Sequence, residues 1–147
     1  MAERSIESAL LTTGRASILL VEDDETVRQA VSMRLRELGY AIMGVPNPDT
    51  AISYLENGVI PDVILSDIRM PGKKTVLDMI TYVEAHLNTP MIFITGYSAD
   101  VIIREGLIAD RHPVLFKPFS IDDLVLKIQA LLAQRRSSQQ SSDLQDA

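Results

Sequence analysis

Residues 17–24 read SILLVEDD, an apolar run that ends in three consecutive carboxylates. The run is rich in Ile, Leu and Val, which is typical of a strand that is buried on both faces. Four similar runs follow, so the predicted strands are residues 17–21, 40–44, 62–66, 91–95 and 113–116. Each interval between them is long enough for a helix and two short loops.

The intervening segments have the periodicity of amphipathic helices. Apolar residues recur at helical spacing within residues 27–38, 76–87 and 121–132. Gly39 is placed to end the first of these helices, and Ser120 is placed to cap the last. Residues 49–56 and 99–107 are predicted to form a shorter second helix and a fourth helix. This alternation predicts an α/β fold, with a five-stranded parallel sheet and helices on both faces.

The composition is that of one ordinary globular domain, with 147 residues, 46% of them hydrophobic. We expect an N-terminal extension over residues 1–16, a folded domain over 17–134, and a flexible polar tail, rich in Ser and Gln, over 135–147. Met1 and this polar end favour a complete short protein.

Charge and residue usage exclude several classes of function. A net charge of −6 argues against a nucleic-acid partner, which normally meets a basic patch. The absence of cysteine excludes disulfides, thiolate metal sites and cysteine nucleophiles. No apolar run approaches the roughly 18 residues that a membrane span needs. We therefore expect a cytoplasmic protein with neither a membrane nor a nucleic-acid partner.

Charged and polar residues stand at the carboxyl ends of four predicted strands. In chain order they are Glu22, Asp23 and Asp24, then Asp67, then Thr95, then Lys117. Because the carboxyl ends of parallel strands meet at one edge of the sheet, the fold would bring these residues together. Clustered carboxylates repel one another, and Mg²⁺, which takes oxygen ligands, relieves that repulsion. A lysine and a hydroxyl beside such a site are suited to bind a phosphoryl group.

Each of these features taken singly also has an ordinary structural explanation. Acidic residues before a helix complement the helix dipole, and an aspartate often starts a turn. A threonine at a strand end and an exposed lysine before a helix are common. Four such features in order, at the ends of the strands, are not expected from packing alone.

Taken as a set, four stretches resemble the receiver domains of two-component response regulators. They are ILLVEDD at residues 18–24, DIRMPG at 67–72, ITGY at 94–97 and FKPF at 116–119. The resemblance covers residues 17–134 and implies a flavodoxin-like, doubly wound sheet in the order 2-1-3-4-5 with five helices. It implies a phosphorylation-activated regulator, not a classical enzyme, whose only reactions are its own phosphorylation and dephosphorylation.

The same resemblance implies roles for individual residues. Asp67 would be the phosphoacceptor, Thr95 the switch hydroxyl and Lys117 the phosphate-binding cation, with a cis peptide bond before Pro118. The implied Mg²⁺ ligands are Glu22, Asp23, Asp67 and the backbone carbonyl of Arg69. Many receivers carry an aromatic residue three positions before the lysine, where this chain has Val114. Tyr97 is a candidate substitute for that aromatic.

The implied partners are proteins. A sensor histidine kinase or a histidine phosphotransfer protein would donate the phosphoryl group. A downstream protein would bind the face formed by the fourth helix, the fifth strand and the fifth helix, with homodimerisation as a further option.

Three alternatives stay open. The chain also resembles receivers within hybrid histidine kinases. A small phosphatase or phosphotransferase with an aspartate nucleophile needs a second carboxylate two positions later, where this chain has Arg69. A pseudo-receiver that binds partners without phosphorylation is disfavoured by the complete set of acidic residues, threonine and lysine.

Overall fold

The computed structural model describes residues 16–68, 75–96 and 112–146, with only the backbone for residues 135–146. The strands in these ranges are β1 (Ser17–Val21), β2 (Ala41–Val45), β3 (Val63–Asp67), β4 (Met91–Thr95) and β5 (Val114–Phe116). The helices are α1 (Glu25–Glu37), α2 (Pro48–Glu56), α3 (Val76–His86) and α4 (Ile121–Asp146). The predicted helix at residues 99–107 lies outside the described ranges, so α4 is the fifth of the predicted helices.

The five strands form one parallel sheet in the order β2-β1-β3-β4-β5, which confirms the predicted fold. Its register sets the geometry of the carboxyl edge. Asp67, the last residue of β3, lies opposite Ile94, and Thr95, the last residue of β4, lies opposite Phe116. The strand order and register therefore bring the predicted site residues to one edge, although they are far apart in sequence.

Two apolar clusters, one on each face of the sheet, explain why the strands are continuous apolar runs. Leu19 and Val21 pack with residues of α2 and α3 on one face. Ile18 and Leu20 pack with residues of α1 and α4 on the other. Alternate residues of a strand point to opposite faces, so every residue of β1 is buried.

The helix ends follow local rules that the sequence anticipates. Gly39 adopts a positive φ of 99° just after α1, a backbone conformation that favours glycine. Ser120 accepts a hydrogen bond from the Asp123 N–H at 3.1 Å and so caps α4. Both predicted boundaries are confirmed.

The last helix continues to Asp146, so the backbone of residues 135–146 is helical, and the expected flexibility of this polar tail stays a prediction. Leu124 and Ile128 are fully buried and fix the first turns of α4 against the sheet. Each further helical residue then adds a backbone hydrogen bond without a new nucleation cost. Residues 121–146 contain neither Gly nor Pro, so no residue of low helix propensity stops the helix.

Among the described residues, no helix is long and apolar enough to cross a membrane.

Candidate functional site

Three carboxylates meet at the carboxyl edge of the sheet. Glu22 and Asp23 directly follow β1, and Asp67 ends the neighbouring strand β3. One carboxylate oxygen of each residue lies within 4.8 Å of those of the other two. A donor set made only of carboxylate oxygens suits a hard cation such as Mg²⁺. The structure thus brings together the three predicted metal-binding side chains.

Glu22 is the buried member of this cluster, with 6% of its surface exposed. Its backbone N–H donates to the Val45 carbonyl at 3.0 Å, which continues the pairing of β1 with β2. Burial raises the pKa of Glu22, and the negative charge of Asp67 raises it further. The charge of Lys117 and a hydrogen bond from the Asp24 N–H act in the opposite direction but are outweighed. Ionised Glu22 therefore destabilises the site unless a cation offsets its charge.

The two carboxylate oxygens of Asp67 have different partners. Oδ1 accepts a hydrogen bond from the Ile68 N–H at 2.7 Å. Oδ2 accepts one from the Lys117 ammonium at 3.0 Å. The Ser66 hydroxyl, which is fully buried, donates to the Asp67 backbone carbonyl at 2.8 Å. The first two contacts hold the half-buried carboxylate next to a cation, and the third holds its backbone at the end of β3.

Lys117 is held in its charged form by this cluster. Burial alone would lower its pKa, but the hydrogen bond to Asp67 and the charges of Asp67, Glu22 and Asp23 outweigh burial and raise it. The ammonium is thus available as a permanent positive charge beside Asp67.

Thr95 lies next to Lys117 and is fully buried. Its backbone carbonyl accepts a hydrogen bond from the Lys117 N–H at 2.7 Å, which joins the ends of β4 and β5. The peptide bond between Lys117 and Pro118 is cis, as predicted. The structure therefore places Asp67, Lys117 and Thr95 in one connected group.

The position of the usual aromatic residue is occupied by a small side chain that belongs to the core. Val114 is partly buried and packs against the cluster on the α2 and α3 face. Phe116, two residues further along, is 41% exposed. Tyr97, the candidate substitute, and Arg69, whose carbonyl is a predicted metal ligand, lie outside the described residues.

Sequence reasoning placed Asp24 near the site without giving it a role, and it missed two further contributors. Asp24 is the N-cap of α1, where its side chain accepts from the Val27 N–H at 3.1 Å; its place just before a helix was a usable signal. Ser66 could have been noticed as a lone hydroxyl in a buried strand. Arg28, whose guanidinium donates to the Glu22 carbonyl at 2.8 Å, gave no signal because its contact depends on tertiary packing.

Comparison with known proteins identifies the family of this chain. Residues 18–129 match the response regulator receiver domain family. The transcriptional regulatory protein ResD of Bacillus subtilis is 34% identical over 130 residues, which are 88% of this chain and 52% of ResD. The sensor kinase CckA of Brucella abortus is 28% identical over 131 residues, 88% of this chain and 14% of the kinase.

Solved structures give the same result. The receiver domain of the Francisella response regulator 1452 is similar with a TM-score of 0.69 and 25% identity, over 82% of this chain and 99% of that domain. The chain spans about half the length of ResD and a much smaller share of CckA. The family match over most of the chain shows that this protein belongs to the response regulator receiver domains of two-component systems.

Proposed function

We propose that this receiver is activated when Asp67 accepts a phosphoryl group from a histidine kinase or a histidine phosphotransfer protein. The observation that carries the proposal is the position of the Asp67 carboxylate. It belongs to a cluster of three carboxylates that suits Mg²⁺, and it is paired with the Lys117 ammonium at 3.0 Å.

The proposed reaction is a transfer between two anions, and the site is arranged to reduce their repulsion. A carboxylate oxygen of Asp67 forms a bond to phosphorus while the bond from phosphorus to the donor nitrogen breaks, and the donor histidine keeps that electron pair. Lys117 donates to the phosphoryl oxygens and offsets their charge. When bound by Glu22, Asp23, Asp67 and the Arg69 carbonyl, Mg²⁺ would supply further charge neutralisation as a Lewis acid.

The product would change the neighbourhood of Thr95. The phosphorylated aspartate carries about two negative charges and three acceptor oxygens. We propose that the Thr95 hydroxyl moves to donate to one of these oxygens and shifts the loop that follows β4. That shift would bias the surface formed by the predicted helix at residues 99–107, β5 and α4. A downstream protein would bind this surface. The output is therefore contact with another protein, including a second copy of this chain.

Intact-mass spectrometry after treatment with acetyl phosphate and Mg²⁺ tests the phosphorylation step. We expect one added phosphoryl group that maps to Asp67, is removed by hydroxylamine, and is absent when EDTA replaces Mg²⁺. A phosphoryl group on another residue, or none at all, would show that the proposal is wrong.

A second candidate is the receiver of a hybrid histidine kinase, which the similarity to the sensor kinase CckA favours. Such a receiver would pass its phosphoryl group on to a histidine phosphotransfer protein. Incubation of the phosphorylated chain with phosphotransfer proteins of the source organism separates the two candidates. Retention with all of them contradicts the hybrid receiver, and rapid loss to one of them contradicts a response regulator that a histidine kinase phosphorylates directly.

A further inference from the structure

Two arginines of α1 donate to backbone carbonyls, and only one of those carbonyls adjoins the carboxylate cluster. Arg28 Nη1 donates to the Glu22 carbonyl at 2.8 Å. Arg36 Nη2 donates to the Ile42 carbonyl at 3.1 Å. At the rise of an α-helix the two arginines are about 12 Å apart along the axis. They make the same kind of contact at opposite ends of one helix.

The carbonyl bound by Arg28 belongs to the peptide that joins Glu22 to Asp23, two of the three clustered carboxylates. The N–H of Glu22 is already held by the Val45 carbonyl at 3.0 Å. A peptide group is planar. Fixing its oxygen therefore restricts the backbone rotations that set the directions of both side chains.

Gly44 of β2 provides the space through which Arg28 reaches this carbonyl. A Cβ at position 44 would lie 3.1 Å from Arg28 Cγ and 3.2 Å from Arg28 Cδ, closer than ordinary van der Waals contact. The φ of Gly44 is not positive, in contrast to those of Gly39 and Gly58. A side chain at position 44 would therefore be opposed by its contact with the Arg28 side chain, and not by the backbone conformation of residue 44.

We propose that Arg28 is a positioning residue for the divalent metal site, holding the peptide between Glu22 and Asp23 so that both carboxylates turn toward one cation. The inference rests on the function proposed above, because that function includes the metal site. Groups that orient metal ligands typically change metal affinity about 10–100-fold when they are removed.

Positioning and simple charge predict opposite results for this arginine. The guanidinium is itself a cation, so its charge repels a metal ion nearby, and removal of the charge alone would strengthen metal binding. Loss of the contact with the Glu22 carbonyl would weaken it. The sign of the change in metal affinity therefore distinguishes the two roles.

Binding of Mn²⁺, measured from the electron paramagnetic resonance signal of the free ion, tests the proposal in the full chain. Mn²⁺ takes the same oxygen ligands as Mg²⁺. We expect Arg28→Met to weaken Mn²⁺ binding about tenfold. Arg36→Met, the matched control, removes the same charge and the same kind of hydrogen bond, and should leave Mn²⁺ binding unchanged. Unchanged or tighter binding in Arg28→Met would overturn the proposal.

Gly44→Ala gives an independent test that removes no charge. The new methyl group should displace the Arg28 side chain by a few tenths of an ångström and weaken Mn²⁺ binding. In the Arg28→Met background the same substitution should have no effect on Mn²⁺ affinity, because two changes that act through one contact are not additive. An equal loss in both backgrounds would contradict a role for Arg28.

The failure of this inference differs from failure of the proposed function. If the unaltered chain binds no Mn²⁺, the metal site is absent and both proposals are wrong. If the unaltered chain binds Mn²⁺, and both Arg28→Met and Arg36→Met bind it as tightly as the unaltered chain does, only the positioning role is wrong.

Discussion

The central strand β3 has an aspartate at each end, and the two are treated differently by their surroundings. Asp62, just before the strand, accepts hydrogen bonds from the Ser17 N–H at 2.9 Å and the Ser17 hydroxyl at 3.2 Å. Its own N–H donates to the Ser17 carbonyl at 2.9 Å. Asp67, the last residue of the strand, shares its surroundings with two other carboxylates and one lysine.

The difference separates a structural from a functional use of the same side chain. At the amino end, the carboxylate of Asp62 accepts hydrogen bonds from Ser17, which ties β1 to β3. At the carboxyl end, three carboxylates and one ammonium leave two negative charges. Like charges at this distance destabilise the fold and favour the binding of a cation. The contacts of Asp62 therefore stabilise the sheet, whereas the charges around Asp67 favour a ligand.

The largest contrast is expected between Asp67→Asn and Asp62→Asn. The first should abolish labelling by acetyl phosphate, because an amide oxygen is a poor nucleophile, while the fold is retained. The second should label normally but lose about 1–2 kcal/mol of unfolding free energy, since hydrogen bonds to a charged group become bonds to a neutral one. Intact mass and thermal unfolding followed by circular dichroism give both results. Labelling of Asp67→Asn on Asp23 or Asp24 would mean that the phosphoacceptor is misassigned.

Asp23 and Asp24, which follow β1, should show the same contrast: one is needed for phosphorylation and the other for stability. Asp23→Ala removes an exposed carboxylate from the cluster, so we expect it to raise the melting temperature in EDTA and to eliminate phosphorylation. Asp24→Ala removes the N-cap of α1, so it should lose about 1 kcal/mol of stability and still accept phosphate. Normal Mg²⁺-dependent phosphorylation of Asp23→Ala would contradict the proposed metal site.

The buried carboxylate of Glu22 should make the stability of the fold depend on pH. The pKa of Glu22 is raised above its ordinary value of 4.5 in the folded state. A raised pKa means that protonated Glu22 stabilises the fold below the ordinary value, and that this stabilisation is lost as the pH rises through the folded pKa. At neutral pH, Glu22→Gln should therefore raise the melting temperature in EDTA.

Two conditions should remove the advantage of Glu22→Gln. The difference in melting temperature should shrink as the pH is lowered through the raised pKa of Glu22, and Mg²⁺ should reduce it by stabilising only the unaltered chain. Asp62→Asn, measured in parallel, should be less stable than the unaltered chain at neutral pH with or without Mg²⁺. A Glu22→Gln variant that is less stable in EDTA at neutral pH would show that the buried charge is already compensated.

The parts of this molecule that the sequence predicts are those set by local pattern and strand order. Continuous apolar runs predicted β1 and β4 to the residue, and the rule that parallel strands share a carboxyl edge anticipated the contact of Lys117 with Asp67, 50 positions apart. The contact of Arg28 with the Glu22 carbonyl was not predictable, because it depends on how α1 packs over β2. The length of α4 was missed because polar residues of modest propensity continue a helix that buried residues have already nucleated.

The least direct effects concern how a phosphoryl group on Asp67 changes the surface around β5 and α4. Thr95 is connected to Lys117 through the hydrogen bond from the Lys117 N–H, whereas Val114 belongs to the core. We expect that beryllofluoride with Mg²⁺ slows hydrogen exchange in β5 and the first turns of α4, and that Thr95→Ala weakens this response. The coupling lost should be about 1–3 kcal/mol, the usual range for communication between sites.

Val114→Ala provides the control for this last comparison, because it shortens a neighbouring side chain without removing a hydroxyl. Deleting part of a partly buried valine should lower the unfolding free energy by about 1 kcal/mol and leave the response to beryllofluoride intact. Both variants should still accept phosphate from acetyl phosphate, since neither residue is the nucleophile. A full response in Thr95→Ala, or its loss in Val114→Ala, would mean that the phosphoryl group acts on the surface through a path other than the Thr95 hydroxyl.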